Sequence, residues 1–403
     1  MRALRGIALL AWLATGLEPY GICYTRNQVS TLHEVGHLVQ SATSVVRAVA
    51  PAKIPLCLFT DARGDADNMT RSLGYGGRGP LFDYVLEDSY AFFAPLTAAE
   101  TALLNPRSTD RHYKSRHLIR SRVGKILNLA RSPFEMALFA DDDTYFCGGG
   151  LAAASLAGAL AFFHKERHRY TLRAHLFTSH HDPYDDALSA GRACVWAAVG
   201  GGSAFSAALE AKCYDRALEQ TCLGGGIQGG ALAVTRGAAL EELVNRWLDA
   251  YIEQHLAYFE LGRRRASAAG EGSDQSAFVR VAKGHCDRRE DDPRLESWTL
   301  GWLPATFNVR YVDRELEQAS AAASRNATPG DAPGCPKSPG AKNGKWYGPL
   351  LLLHQKKYMH KDLDGICAAV NRPVARGGSA WLGTDDGGLG CAARWEDAKK
   401  GGA

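Results

Sequence analysis

Apolar positions along this chain alternate between two spacings. From Thr31 to Ala50 they recur every three to four residues, at Leu32, Val35, Leu38, Val39, Val45, Val46 and Val49, which predicts an amphipathic helix closed by Pro51. Ile54 to Phe59 is a short unbroken apolar run ending in Thr60-Asp61, the mark of a buried strand. After a Gly-rich loop (Gly74 to Pro80), Phe82 to Leu86 repeats that pattern and ends in Glu87-Asp88. Arg116 to Arg131 has helical spacing, with Ile119, Val123, Ile126, Leu127 and Ala130 on one face and Arg122, Lys125 and Asn128 on another. Beyond Pro133, Met136 to Ala140 forms a third apolar strand that runs straight into Asp141-Asp142-Asp143.

Helices and strands in this order predict an α/β fold with a mostly parallel central sheet and crossover helices on both faces. In such sheets the ligand crevice lies beyond the carboxyl ends of the strands, where both Thr60-Asp61 and the acidic triplet fall. Further along, Leu240, Leu243, Val244, Trp247, Leu248, Tyr251 and Ile252 mark a long amphipathic helix whose aromatics are core residues. Ala319 to Lys345 is rich in Ala, Ser, Pro and Gly and reads as a surface loop inserted in the domain. Leu350 to Leu353 is a last buried strand leading into His354, and 371–403 is a Gly-rich tail without periodicity.

Composition adds limits. The 403 residues are 46% apolar and 22% charged, a globular balance that excludes disordered, collagenous and coiled-coil chains. A net charge of +4 with no basic stripe makes no case for nucleic acid. A basic start (Arg2, Arg5) before the apolar run Ile7 to Leu17 predicts a secretory leader over 1–22, with Ala14-Thr15-Gly16 as a cleavage site. A short uncleaved anchor and a buried helix are the alternatives; Glu18-Pro19 ends the run too early for a full membrane span. The 10 cysteines contain no CxxC pair, so zinc ribbons and thioredoxin-type motifs find no support. Disulfides are permitted without a predicted connectivity, and Cys57 is expected as a small buried hydrophobe. Two N-glycosylation sequons begin at Asn68 and Asn326. Together these point to the secretory lumen, ER or Golgi, or to secretion, with contact to membrane only through an N-terminal anchor.

Chemistry concentrates at the triplet. Three adjacent carboxylates at the end of a buried strand repel one another and resist desolvation, a cost that a divalent cation removes. In extended backbone Asp141 and Asp143 project to one face and Asp142 to the other, supplying two hard oxygen ligands suited to Mg²⁺ or Mn²⁺. An exposed acidic turn or helix cap is the plain alternative.

The run Phe139 to Thr144 resembles the DxD motif of GT-A glycosyltransferases that use nucleotide sugars, and other segments follow in that family's order. They are the lysine-bearing helix at Arg122 to Ile126, the Gly-containing run Gly226 to Val234, the helix with Trp247, the pair Asp274-Gln275, and Leu303-Pro304 to Asn308. The resemblance is closest to the nucleotide-diphospho-sugar transferases and spans roughly Ile54 to Lys357, within a single domain over 23–370. Gln228 stands where an Asn is usual, and His354 to Lys357 lacks a Gly found in some members. The resemblance implies a metal held by Asp141, Asp143 and His354, with Thr60 and Asp61 against the nucleoside and Asp142 also in the donor site. It further implies cationic help from Arg122, Lys125 and Lys356 or Lys357, and Asp274 or Gln228 facing the sugar or acceptor. The implied reaction moves a hexose or pentose from a nucleotide-diphosphate donor to a hydroxyl of a glycan or protein, with retained configuration.

Residue types leave plain alternatives: a solvated face for Arg122 and Lys125, a core histidine at His354, a helix cap at Asp274-Gln275. His33-Glu34-Val35-Gly36-His37 satisfies HExxH, the pattern of a zinc peptidase, but Gln40 and Thr43 break its extended form. The haloacid-dehalogenase pattern DxDxT fails because Tyr145 occupies the Thr position. A secreted binding domain that keeps the fold without catalysis is the remaining alternative.

Overall fold

A computed structural model describes residues 17–27, 32–49, 53–61, 80–92, 116–147, 150–177, 226–261, 274–289, 298–303, 352–354, 363–364 and 367. Its centre is built from the short apolar runs. Strands β1 (Glu18–Thr25), β2 (Leu56–Thr60), β3 (Tyr84–Glu87) and β4 (Phe134–Ala140) lie side by side in the order β3-β2-β1-β4, all parallel. Beyond β4 comes β7 (Gly226–Thr235), antiparallel to it, then β6 (Leu172–Phe177) and β8 (Leu300–Trp302), which complete a seven-stranded sheet. The result is the mixed, mostly parallel, Rossmann-like α/β architecture expected of a GT-A type domain. The strands β5 (Thr144–Phe146) and β9 (Leu352–His354) form a separate antiparallel pair.

Period-two alternation sends the strand side chains into two cores. Cys23, Cys57, Phe59, Ala137, Phe139, Leu232 and Val234 face α2 (Arg116–Leu129), α4 (Ala238–Leu261) and α5 (Asp274–Arg289). Ile22, Tyr24, Leu56, Leu58, Met136, Leu138, Ala231 and Ala233 face α1 (Leu32–Val49) and α3 (Gly150–Lys165). Burial on both faces explains why β2 carries apolar residues at nearly every position. Gly21 is required by packing, since a Cβ there would stand 2.4 Å from the Phe134 ring.

The strand and helix expectations hold to within two or three residues, and Cys57 is buried with a free thiol. One boundary moves. Residues 18–22, read as the end of a leader, belong to β1, which lies between β2 and β4 with Ile22, Cys23 and Tyr24 fully buried. The mixed stretch Glu18 to Ile22 carries no local strand signature; its pairing partners, Leu56 and Leu138 for Ile22, are remote in sequence. Both sequons, the 319–345 loop and the 371–403 tail lie outside the described residues.

Candidate active site at the carboxyl ends of the strands

Ala140 is the last residue of β4, paired with Tyr24 of β1 and Ala231 of β7. The next amide, Asp141 N–H, still donates to the Gly230 carbonyl at 2.9 Å. Then the chain turns: Thr144 N–H donates to the Asp141 carbonyl at 3.2 Å and the Thr144 hydroxyl to the same oxygen at 2.7 Å. The extended-backbone argument for the triplet is therefore corrected, because Asp142 and Asp143 sit in a turn. Asp142 nevertheless has a different ionic partner from its two neighbours. Asp142 ion-pairs with Arg26, just past β1, while Asp141 accepts from the Lys125 ammonium at 2.5 Å, and Asp143 also acts on that ammonium. All three carboxylates are half-buried.

Lys125 reaches across from α2. Its ammonium also donates to the Gly229 carbonyl of β7 at 2.7 Å. Burial pulls its pKa down, but Asp141, Asp274 and Asp143 outweigh that and hold it above the ordinary lysine value. It stays charged. The neighbouring turn of α2 is fixed by Asn128, which is fully buried and not part of a solvated face. Its amide nitrogen donates to Thr25 Oγ1 at 3.1 Å and to Asp88 Oδ1 at 3.4 Å, and its amide oxygen accepts from Ser89 N–H at 2.9 Å. Asp88, also fully buried, follows β3 and presses against Gly124. Burial pushes its carboxyl pKa up; bonds from Tyr90 N–H, Asn27 and Asn128 pull it down, and Asp61 pushes it up again.

The third wall is the start of α5. Asp274 lies in its first turn, 3.8 Å from the Arg122 guanidinium, so Arg122 faces a carboxylate of the site. The Asp274 carbonyl accepts from Trp247 Nε1 at 2.7 Å, which ties this helix end to the core of α4. Gln275 approaches β7 so closely that a Cβ on Gly229 would meet its Cγ at 3.4 Å and the Lys125 Nζ at 3.6 Å. Asp141, Asp143, Lys125, Gly229, Asp274, Gln275 and Arg122 thus converge on one place.

The other expected residues are placed less completely. Thr60 is buried, and its carbonyl accepts from Asp88 N–H at 3.0 Å; Asp61 follows it, half-buried. Gln228 is on β7 beside Gly229, in register with His175. His354 pairs with Thr144 in the β5–β9 ladder, which puts its backbone beside the acidic turn. Lys356 and Lys357 lie outside the described residues. Arg26, the Gly229 carbonyl and Asp88 are not assigned to this place by sequence alone, which names Gln275 only as part of the Asp274-Gln275 pair. Arg26 and Asp88 carry the same signal as Asp61, a polar residue just past a buried strand. The HExxH segment lies on α1, against the opposite face of the sheet. His37 is half-buried there, and the side chains of His33 and Glu34 are outside the description.

A metal can be tested against the donor set. Among the described residues no group of three His, Cys, Asp or Glu side chains stands ready to hold an ion. Asp141 and Asp143 nevertheless offer two hard oxygens beside a further carboxylate, Asp274, in an anion-rich site. That chemistry fits Mg²⁺ or Mn²⁺, which bind through one or two carboxylates and complete their shell with phosphate and water.

The chain is similar in shape to solved glycosyltransferases. Mouse xyloside xylosyltransferase 1 in its apo form matches with 10% identity and a TM-score of 0.40, over 84% of this chain and 97% of that one. The galactosyltransferase LgtC, in complex with donor and acceptor sugar analogues, matches with 12% identity and a TM-score of 0.37, over 94% and 95% of the two chains. No protein-family model and no curated protein sequence matches the chain.

Proposed function

We propose that this protein is a metal-dependent glycosyltransferase that moves a sugar from a nucleotide-diphosphate donor to a hydroxyl of a glycan or protein. One observation carries the reading: the acidic turn leaving β4 meets a charged lysine and the first turn of α5 at the carboxyl ends of the parallel strands. Asp141 and Asp143, with His354 from β9, would hold Mn²⁺ or Mg²⁺, and the bound ion would offset the charge developing on the leaving diphosphate. Lys125 has three N–H donors, and described residues engage two of them, at Asp141 and Gly229. The third would serve a phosphate oxygen of the donor. Arg122 adds a second cation while it orients Asp274. Asp274 and Gln275, with Gln228 on the adjacent strand, stand where the sugar and acceptor would meet. Thr60, Asp61 and Asp142 belong to the nucleotide side.

Retained configuration, and a secretory setting in the Golgi or ER, are part of the same proposal. The first rests on the sequence resemblance alone. The second is supported by the Cys147–Cys367 disulfide, since such bonds persist in oxidising compartments. The test is a screen of nucleotide sugars for Mn²⁺-dependent hydrolysis and thermal stabilisation, because a ligand that binds only the native state raises apparent stability. One donor should stabilise the protein in the presence of metal, and Asp143→Ala should abolish that gain while the circular dichroism spectrum stays native. Stabilisation or turnover that persists in Asp143→Ala in chelator-treated buffer overturns the metal role. Failure of every donor overturns the transferase reading.

A further inference from the structure

The strand that brings His354 beside the acidic turn is short. β9 contributes three residues to a two-stranded ladder with β5, and an isolated ribbon of that size is marginal in water. What secures it lies farther along the chain. Cys147, the residue after β5, is disulfide-bonded to Cys367, thirteen residues beyond His354. Cys367 and Leu363 are buried. The Tyr145 hydroxyl, in the middle of β5, donates to Asp364 Oδ1 at 2.5 Å, and Arg47 of α1 pairs with the same carboxylate at 2.9 Å. The exposed Arg47–Asp364 pair contributes little by itself. The covalent link is different. It ties Cys367 to the end of β5 and so raises the effective concentration at which β9 re-forms its ladder.

We propose that the Cys147–Cys367 disulfide is a positioning element of the active site: it holds the His354 strand against the turn of Asp141 and Asp143, so that binding of metal and diphosphate depends on this bond. The inference rests on the reading of that turn as the donor site. A global staple and a local positioning link make different predictions. Opening the bond with a low-molecular-weight dithiol breaks S–S, leaves two electrons and two protons on the Cys147 and Cys367 thiols, and oxidises the reagent to its own disulfide. Mass mapping with alkylation identifies the bond opened.

The full-length oxidised protein, the reduced protein and the double variant Cys147→Ser, Cys367→Ser are compared by amide hydrogen exchange and by calorimetric titration with Mn²⁺ and inorganic pyrophosphate. The expected result is faster exchange confined to β5 and β9, with β1 and β4 still protected, and pyrophosphate affinity at least tenfold weaker. Loss of protection across all strands together makes the bond a global staple and overturns the proposal, as does unchanged affinity with the bond open. If oxidised protein binds neither Mn²⁺ nor pyrophosphate, the donor-site reading fails and takes this inference with it; if the oxidised protein binds both and the opened forms keep that full affinity, the donor site stands and the positioning role alone is lost.

Discussion

Replacing Gly124 by alanine sets two effects of opposite sign against each other. Gly124 lies inside α2, where helix propensity alone favours alanine by about 1 kcal/mol. A Cβ at this position would stand 2.4 Å and 2.6 Å from the two carboxylate oxygens of Asp88 and 2.9 Å from its Cγ. Asp88 cannot step aside cheaply, because it is fully buried and its Oδ1 accepts from Tyr90 N–H at 2.9 Å. Relief requires a shift of α2 or of the loop after β3. Overpacking of this kind costs about 1–3 kcal/mol, and a loosened hydrogen bond to a charged group adds roughly 1.5 kcal/mol or more. The net expectation for Gly124→Ala is a loss of about 1.5–3.5 kcal/mol, the steric and hydrogen-bond costs together less the propensity gain. Urea unfolding followed by circular dichroism measures it. The decisive control is an Asp88→Ser background, in which the same Gly124→Ala change should turn neutral or stabilising. A Gly124→Ala protein more stable than the wild type, or an identical effect in both backgrounds, would refute the packing argument. Because Lys125 is the next residue, the displaced helix should also weaken donor binding.

Lys125→Met removes the cation that Asp141, Asp143 and Asp274 share, and loss of one such preorganised donor should lower turnover roughly 10²-fold; unchanged turnover with the identified donor would dismiss its role. Asp88 has a native pKa raised above its unfolded value, so the native state binds more protons and the stability contributed by Asp88 falls as pH rises from about 4 through that raised value. Asp88→Asn should flatten this slope. The comparison is read from urea midpoints between pH 4 and 7, with Asp61 and Arg131 as the other charges acting on the site. Trp247→Phe deletes the indole bond to the Asp274 carbonyl while keeping a ring against Phe278. A loss of about 1–3 kcal/mol is expected in the same assay, for a buried acceptor left without its donor.

Much of this protein is local in its causes. The helix at Arg116–Leu129, the strand at Phe134–Ala140 and the Trp247 helix could be read from spacing, because burial of one face imposes a 3.6-residue or two-residue period on neighbouring residues. The acidic triplet was legible for the same reason, since three carboxylates at the end of a buried strand have few stable environments. Other features depend on contacts between distant segments. β1 became a central strand only through partners on β2 and β4, and β7 took its antiparallel direction from the sheet. Asn128 shares a helix face with Arg122 and Lys125, yet it is buried because β1 and the segment after β3 close over it. The pairing of Arg26 with Asp142, and of Cys147 with Cys367, has no local signature. Residue order settled which segments are helix or strand and where acids collect, because those follow from short-range periodicity and desolvation. Which cation faces which acid was decided by the tertiary structure, because it depends on how separate helices and strands come to rest against one another, as Arg26 against Asp142 and Arg122 against Asp274.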